Sequence, residues 1–192
     1  VGTLYDKNWI INFLREVSKQ IFIPVAIGGG ISSLTQVEEL FKNGADKVIV
    51  NSEAVKNPSF LKELSKNFGN QAVVLSIHAG LFEGDYYVFT EMARKRHDIL
   101  VSNWVKKAHD LGAGEILLAS VNRDGTFKGL DYQLYEENVF DCELPIVASG
   151  GTSSAEDVKN VVNKLPLSGV AISSLFHYNR STPQDIKNAL FD

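Results

Sequence analysis

Cysteine is almost missing from this chain. Of 192 residues only Cys142 carries a thiol, so no intrachain disulfide can form and a reducing, cytoplasmic setting is expected. An excess of positive charge is missing too. Nineteen lysines and arginines against 23 aspartates and glutamates leave a formal net charge of −4, which argues against nucleic acid or an anionic membrane as the main partner. No apolar run approaches the ~20 residues needed to cross a bilayer. The opening "VGTLYDKNWI" has neither a signal-peptide pattern nor an initiator methionine. Neither a metal nor an organic cofactor is expected. What the chain does have is 44% hydrophobic residues, which suits a single well-cored domain over residues 1–192.

Strand-like apolar runs alternate with helical patterns. Strands are predicted at Ile23–Ile27, Lys47–Asn51, Ala72–His78, Glu115–Ser120, Leu144–Ser149 and Gly169–Ser174. Amphipathic helices lie between them; in "LTQVEELFKNG", Val37, Leu40 and Phe41 recur at helical spacing and Gly44 marks the end. Apolar strands joined by helical crossovers imply an α/β fold with a parallel sheet covered on both faces. After the third strand, "AGLFEGDYYVFTEMARKRHD" (79–98) carries an alternating "YYVF" behind "EGD", the pattern of a short hairpin.

An internal repeat narrows the fold further. "IPVAIGGGISSLTQVEELFKNGADKVIVNSEAV" from Ile23 aligns with "LPIVASGGTSSAEDVKNVVNKLPLSGVAISSLF" from Leu144. Each copy has an X-Pro strand, a glycine pair, a Ser-Ser helix start, an amphipathic helix and a second strand with a small polar end. The copies hold the first and second strands and the fifth and sixth, so the repeat period is four βα units. That is the period of a (β/α)8 TIM barrel built from two half-barrels, with about its first two βα units expected ahead of Val1.

In such a barrel, functional groups sit on the loops after the strands. Here "GGG" (Gly28–Gly30) follows the first strand and "SGG" (Ser149–Gly151) follows the fifth. Asn51 and Ser52, and Ser173 and Ser174, close the neighbouring strands. Glycine allows close backbone approach, and a helix start offers free amides to an anion. Two such cradles in register imply a ligand with two phosphates, that is, a bis-phosphorylated small molecule. Asp124, before Gly125 in "SVNRDGTFKGLD", is placed to orient substrate, accept a proton or shape a phosphate-binding turn. Arg123 and Lys128 read equally as surface charges or phosphate partners. His78 ends the predicted third strand, and His177 in "SLFH" reads as structural.

"IPVAIGGGI", "NGADKVIVNSEAV", "GAGEILLASVNRDGT", "LPIVASGG" and "SSLFH" together resemble the cyclase subunit family of imidazole glycerol phosphate synthase. The resemblance covers essentially the whole chain. It implies a (β/α)8 barrel that takes ammonia from a docked glutaminase subunit. The ammonia converts a phosphoribulosyl-formimino aminoimidazole carboxamide ribonucleotide to imidazole glycerol phosphate and aminoimidazole carboxamide ribonucleotide, in histidine biosynthesis. By the same resemblance Gly30, Asn51 and Ser52 fall on a first phosphate site. Gly125, Gly150, Gly151, Ser173 and Ser174 fall on or beside a second. Lys47 and Glu115 fall on an ammonia gate, and Asp46 on a partner contact.

The chain also departs from that pattern. His78 stands where the family resemblance leads one to expect an aspartate, in "SIHAG" against a pattern close to I-D-A-K-R, and the basic residues that follow are gone. Asn122 replaces an acid, while Asp124 is kept. Imidazole can act as acid or base near neutral pH but brings no fixed negative charge. His78 and Asp124 are therefore the candidate catalytic pair. Two other readings stay open at this point. One is a paralogue that aminates another phosphorylated sugar; the other is a non-catalytic, phosphate-binding activator of a glutaminase.

Overall fold

The computed structural model describes residues 7–191. Two compact units emerge: the first runs to Leu75 and takes in Asp110–Gly114, and the second comprises Ser76–His109 and the chain from Glu115 onward. Each copy of the internal repeat falls within its own unit. The expected βα units ahead of Val1 lie outside the described residues.

The first unit begins with helix α1 (Lys7–Val17), then strand β1 (Ala26–Gly28), helix α2 (Leu34–Lys42) and strand β2 (Lys47–Val50). Helices α3 (Ser52–Lys56) and α4 (Ser59–Phe68) lead to strand β3, Val73–Phe82, whose first residues belong here. The strands are parallel, with Ala26 opposite Lys47 and Val48 opposite Val73. Leu14, Val37, Leu40, Phe60, Leu61 and Leu64 from the helices are buried with Val48, Val50 and Val73. Helix α2 stops where the sequence says it should. Ala45 N–H donates to Leu40 O and Gly44 N–H to Phe41 O, with Gly44 at φ 106°. That is a Schellman ending, which needs a residue at positive φ. A side chain on Gly44 would also meet Ser18 Cβ at 2.5 Å.

The second unit starts with the rest of β3 and an antiparallel meander, β4 (Asp85–Thr90) and β5 (Lys95–Leu100). Helix α5 (Val101–Ala108) follows. Three parallel strands, β6 (Glu115–Ser120), β7 (Ile146–Ser149) and β8 (Gly169–Ala171), alternate with helices α6 (Tyr132–Asn138) and α7 (Ala155–Lys164). The short α8 (Ser174–His177) and α9 (Pro183–Phe191) complete the described chain. Alternate residues of β6 (Ile116, Leu118 and Ser120) are buried, with Leu134 and Tyr135 of α6 packed in the same core.

All six predicted parallel strands are present, and the fold is α/β of the (β/α)8 barrel class. Three boundaries are corrected by three residues or more: the first strand starts at Ala26 and not Ile23, the sixth ends at Ala171 because Ser174 opens α8, and the third is extended. The third strand does not end at His78 but runs on to Phe82, because Ala79–Phe82 pair with β4 across a two-residue turn. Glu83 (φ 53°) and Gly84 (φ 96°) both take positive φ there, the backbone that matches strand twist in a tight hairpin. The expected short hairpin is thus a three-stranded meander.

Tyr135 locks α6 to β7: its hydroxyl donates to Ser149 O at 2.7 Å and accepts from Ser149 N–H at 3.0 Å. Burial pushes the phenol well above its ordinary range, so it stays protonated and keeps both bonds. Tyr135→Phe strips both Ser149 groups of their partner and should lower stability by about 2 kcal/mol, measured by urea unfolding.

Candidate functional site

The two glycine turns of the repeat are built alike. In the first unit, Ser33 caps α2 by accepting Gln36 N–H at 3.4 Å, while Gln36 Oε1 accepts Ser32 N–H at 2.9 Å. In the second, Ser154 caps α7 by accepting Asp157 N–H at 3.1 Å, while Asp157 Oδ2 accepts Ser153 N–H at 3.0 Å. These reciprocal caps satisfy amides that a helix start leaves over. They hold each helix directly behind its glycine pair, Gly29–Gly30 (φ 113° and 69°) and Gly150–Gly151 (φ 96° and 93°). Asn51 before α3 and Ser173 before α8 share one further conformation, φ −123° ψ −81° and φ −120° ψ −62°. The repeat is therefore a repeat of cradle geometry as well as of sequence.

In the first unit, Gly28, Gly29 and Gly30 line a cleft with Ile10, Ile11 and Ile31. In the second, a small cleft brings together Asp124, Gly150, Gly151, Thr152, Ser173 and Ser174. Five of the predicted residues thus share one concave surface. Gly125 is exposed on the same turn as Asp124, and an added Cβ there meets nothing. Gly151 is different: a Cβ would sit 2.5 Å from Gly129 O and 2.6 Å from Arg123 Cβ. Sequence reasoning missed Thr152. Only 6% of its surface is exposed, it lines the cleft, and its Oγ1 has no hydrogen-bond partner among the protein groups. Buried hydroxyls almost always have one, which makes Thr152 an addition to the candidate site. It occupies the position of Ile31 in the first copy, where the signal was available.

His78 lies within β3, opposite Phe89 of β4, and is half-buried. Burial lowers its pKa from the ordinary 6.5, and the negative charge of Asp124 offsets part of that shift. The imidazole is neutral at pH 7. Two residues on, Gly80 gives up its side-chain volume to an aromatic ring: a Cβ would lie 2.4 Å from Phe89 Cε2. Asn122 is also used structurally, since its Oδ1 accepts Leu81 N–H at 2.8 Å and ties the β6 turn to the extended end of β3.

Beneath that turn lies a buried carboxylate. Asp131, 5% exposed, accepts the Tyr86 hydroxyl at 2.9 Å and the Ser120 hydroxyl at 2.5 Å. Burial and the hydrogen bond to Asp131 raise the Tyr86 pKa far above its ordinary value. Ser120 O accepts Asp124 N–H at 3.0 Å, and a Cβ on Gly150 would lie 2.8 Å from the same oxygen. The meander, the end of β6 and the second cradle are thus joined through Asp131. Arg123 Nη1 donates to Lys128 O at 3.3 Å, within the same loop.

Lys47 and Glu115 are the first residues of β2 and β6, at the opposite ends of those strands from Asn51 and Ser120. Asp46 is exposed, yet its Oδ2 accepts Val25 N–H at 2.7 Å and its own N–H donates to Val25 O at 2.8 Å. It pins the residue that leads into β1. His177 is exposed at the end of α8, with its ring edge-on to Tyr178 at 4.9 Å.

Among known proteins, the Histidine biosynthesis protein family matches residues 2–182. The chain is 39% identical over 190 residues to the imidazole glycerol phosphate synthase subunit HisF of Streptococcus mutans, covering 98% of this chain and 76% of that one. It is 39% identical over 183 residues to the HisF subunit of Petrotoga mobilis, covering 94% and 72%, and 38% identical over 194 residues to that of Prochlorococcus marinus, covering 100% and 76%. The fold is that of the (β/α)8 class, with two glycine turns of like construction. The chain belongs to the Histidine biosynthesis protein family and, within it, groups with the HisF subunits.

Two outcomes test the site. Gly151→Val should weaken inorganic phosphate binding about tenfold or more by blocking backbone approach; unchanged affinity in calorimetry rules out the second cradle. Asp46→Ala should lower the urea midpoint, because it leaves Val25 N–H without its carboxylate; a residue used for partner contact alone would leave the midpoint unchanged.

Proposed function

We propose that this chain is the cyclase subunit of an imidazole glycerol phosphate synthase. It takes ammonia from a glutaminase partner and converts the phosphoribulosyl-formimino aminoimidazole carboxamide ribonucleotide to imidazole glycerol phosphate and aminoimidazole carboxamide ribonucleotide. The observation that carries this reading, beside family membership, is the pair of matched cradles. A substrate with a phosphate at each end needs two anion sites of like construction. Gly30, Asn51 and Ser52 serve one phosphate. Gly125, Gly150, Gly151, Ser173 and Ser174 serve the other, and Thr152 adds a hydroxyl. Lys47 and Glu115 belong to the ammonia route, and Asp46 faces the glutaminase.

Closing an imidazole ring on an incoming nitrogen requires protons to leave that nitrogen and reach departing oxygen. A base that is neutral at pH 7 can accept the first proton, and His78 is such a base because burial disfavours its cation. Asp124 offsets part of that penalty, so the imidazolium formed in the step is supported by its charge. The pair thereby divides between two residues what one aspartate would do with a fixed charge.

The pH dependence follows in sign. The active form is neutral His78, so kcat/KM should rise with pH, pass half-maximum below 6.5 and level through neutrality. With saturating ammonium and the formimino ribonucleotide, His78→Asn should lower turnover by about 10²-fold or more and abolish the acidic limb, with substrate binding nearly intact. Unchanged turnover removes His78 from the mechanism. No conversion of this substrate by wild type, with the glutaminase stimulated by another phosphorylated sugar, overturns the substrate assignment.

A further inference from the structure

Phe127 is the one aromatic residue with positive φ (56°) among the described residues. A bulky side chain in the left-handed region is a genuine outlier, held only where its surroundings over-determine it. Those surroundings are clear. The Phe127 ring packs against the cluster of Val158 (α7), Leu175 (α8) and Ile186 (α9). Arg180 Cζ lies 4.0 Å from the ring centroid, and Tyr178 meets the ring edge-on at 5.8 Å. Arg180 N–H in turn donates to Leu175 O at 2.8 Å. The ring is gripped by the segment that directly follows Ser173 and Ser174.

Phe127 is two residues from Gly125 and three from Asp124, in a loop closed by its own short bonds. Thr126 Oγ1 donates to Arg123 O at 2.7 Å, and Gly129 N–H donates to Gly151 O at 2.8 Å. The loop supplies one wall of the second cleft through Asp124, and α8 supplies another through Ser173 and Ser174. Phe127 does not itself line that cleft. Its ring joins the two walls from behind.

We propose that Phe127, clamped by Arg180 and Tyr178, is a positioning residue that latches the Asp124–Gly125 turn to α8 and so sets the phosphate affinity of the second cradle. This rests on the reading of that cleft as a phosphate site. With the latch in place, the loop is ordered before the ligand arrives. Without it, the ordering entropy falls on the binding step. The loss should therefore appear in binding and KM, with kcat nearly unchanged, as for an interaction equally present in ground and transition states.

The test uses the full chain, with inorganic phosphate as the calorimetric probe and ammonium-driven turnover for KM and kcat. Phe127→Ala should weaken phosphate binding and raise KM about tenfold, with kcat within about twofold, and Phe127→Tyr should restore both. Phe127→Gly relieves the backbone strain while removing the ring. It should melt no lower than Phe127→Ala yet bind phosphate no better, so stability and affinity separate. Should Phe127→Ala fail to fold, Arg180→Ala keeps the ring and removes the cation, and must still raise KM. Wild-type affinity in Phe127→Ala, or in Arg180→Ala where only that variant folds, overturns the latch if Gly151→Val has lost phosphate. Affinity that recovers with stability in Phe127→Gly overturns it as well. Wild-type affinity in Gly151→Val removes the cradle and the latch with it.

Discussion

The carboxylate of Asp157 organises the second unit's site. Its Oδ2 accepts the amides of Ser153 and Leu130 at 3.0 and 3.2 Å, while its own N–H is capped by Ser154. One side chain therefore fixes the start of α7, the turn just behind Gly150–Gly151 and the far end of the loop that carries Asp124. Gly129 is constrained by the same group, since a Cβ there would come within 3.2 Å of Asp157 Oδ1. Removing the carboxylate would free two backbone amides at once, Ser153 beside the glycine pair and Leu130 at the end of the Asp124 loop. A helix cap usually satisfies only the amides of its own first turn; this one also holds a neighbouring loop.

In the first unit the corresponding group is the neutral amide of Gln36, which closes the cap on Ser32 and Ser33 but carries no charge. The two cradles share backbone geometry and differ in what surrounds it. The first is lined largely by isoleucine around its glycines; the second gathers hydroxyls and a carboxylate. A duplicated βα pair thus supplies a common glycine turn, and the residues around each copy make the two sites unlike.

Much of this was legible in the sequence, because it follows from local rules. The Ser-Ser caps and Gly44 as helix stop depend on neighbours within a few residues, and the structure has both; the X-Pro pairs lead into their strands and lie just outside them. The repeat brought out the paired cradles. The end of β3 was not legible: the apolar run reads as stopping at His78, and only pairing with β4 extends it to Phe82. Asp131 was equally hidden. Its partners Tyr86 and Ser120 lie 45 and 11 residues away, and nothing local marks a buried carboxylate held by two hydroxyls. Phe127 looks like a loop aromatic until Arg180 and Tyr178 are seen around it. Asp46 was read through the family resemblance as a partner contact, while its bond to Val25 shows a structural duty.

The surroundings of His78 are well filled: the Phe89 ring occupies the space beside Gly80, and Asn122 braces the extended end of the strand. On the proposed reading, two anion-binding turns hold the substrate and His78 moves protons. That account stands on the claim that both cradles hold phosphate. The most direct measurement is the stoichiometry of phosphate binding to the full chain, followed by phosphorus NMR or calorimetry to saturation. Two equivalents per chain are predicted; saturation at one equivalent, or no binding, would contradict the account.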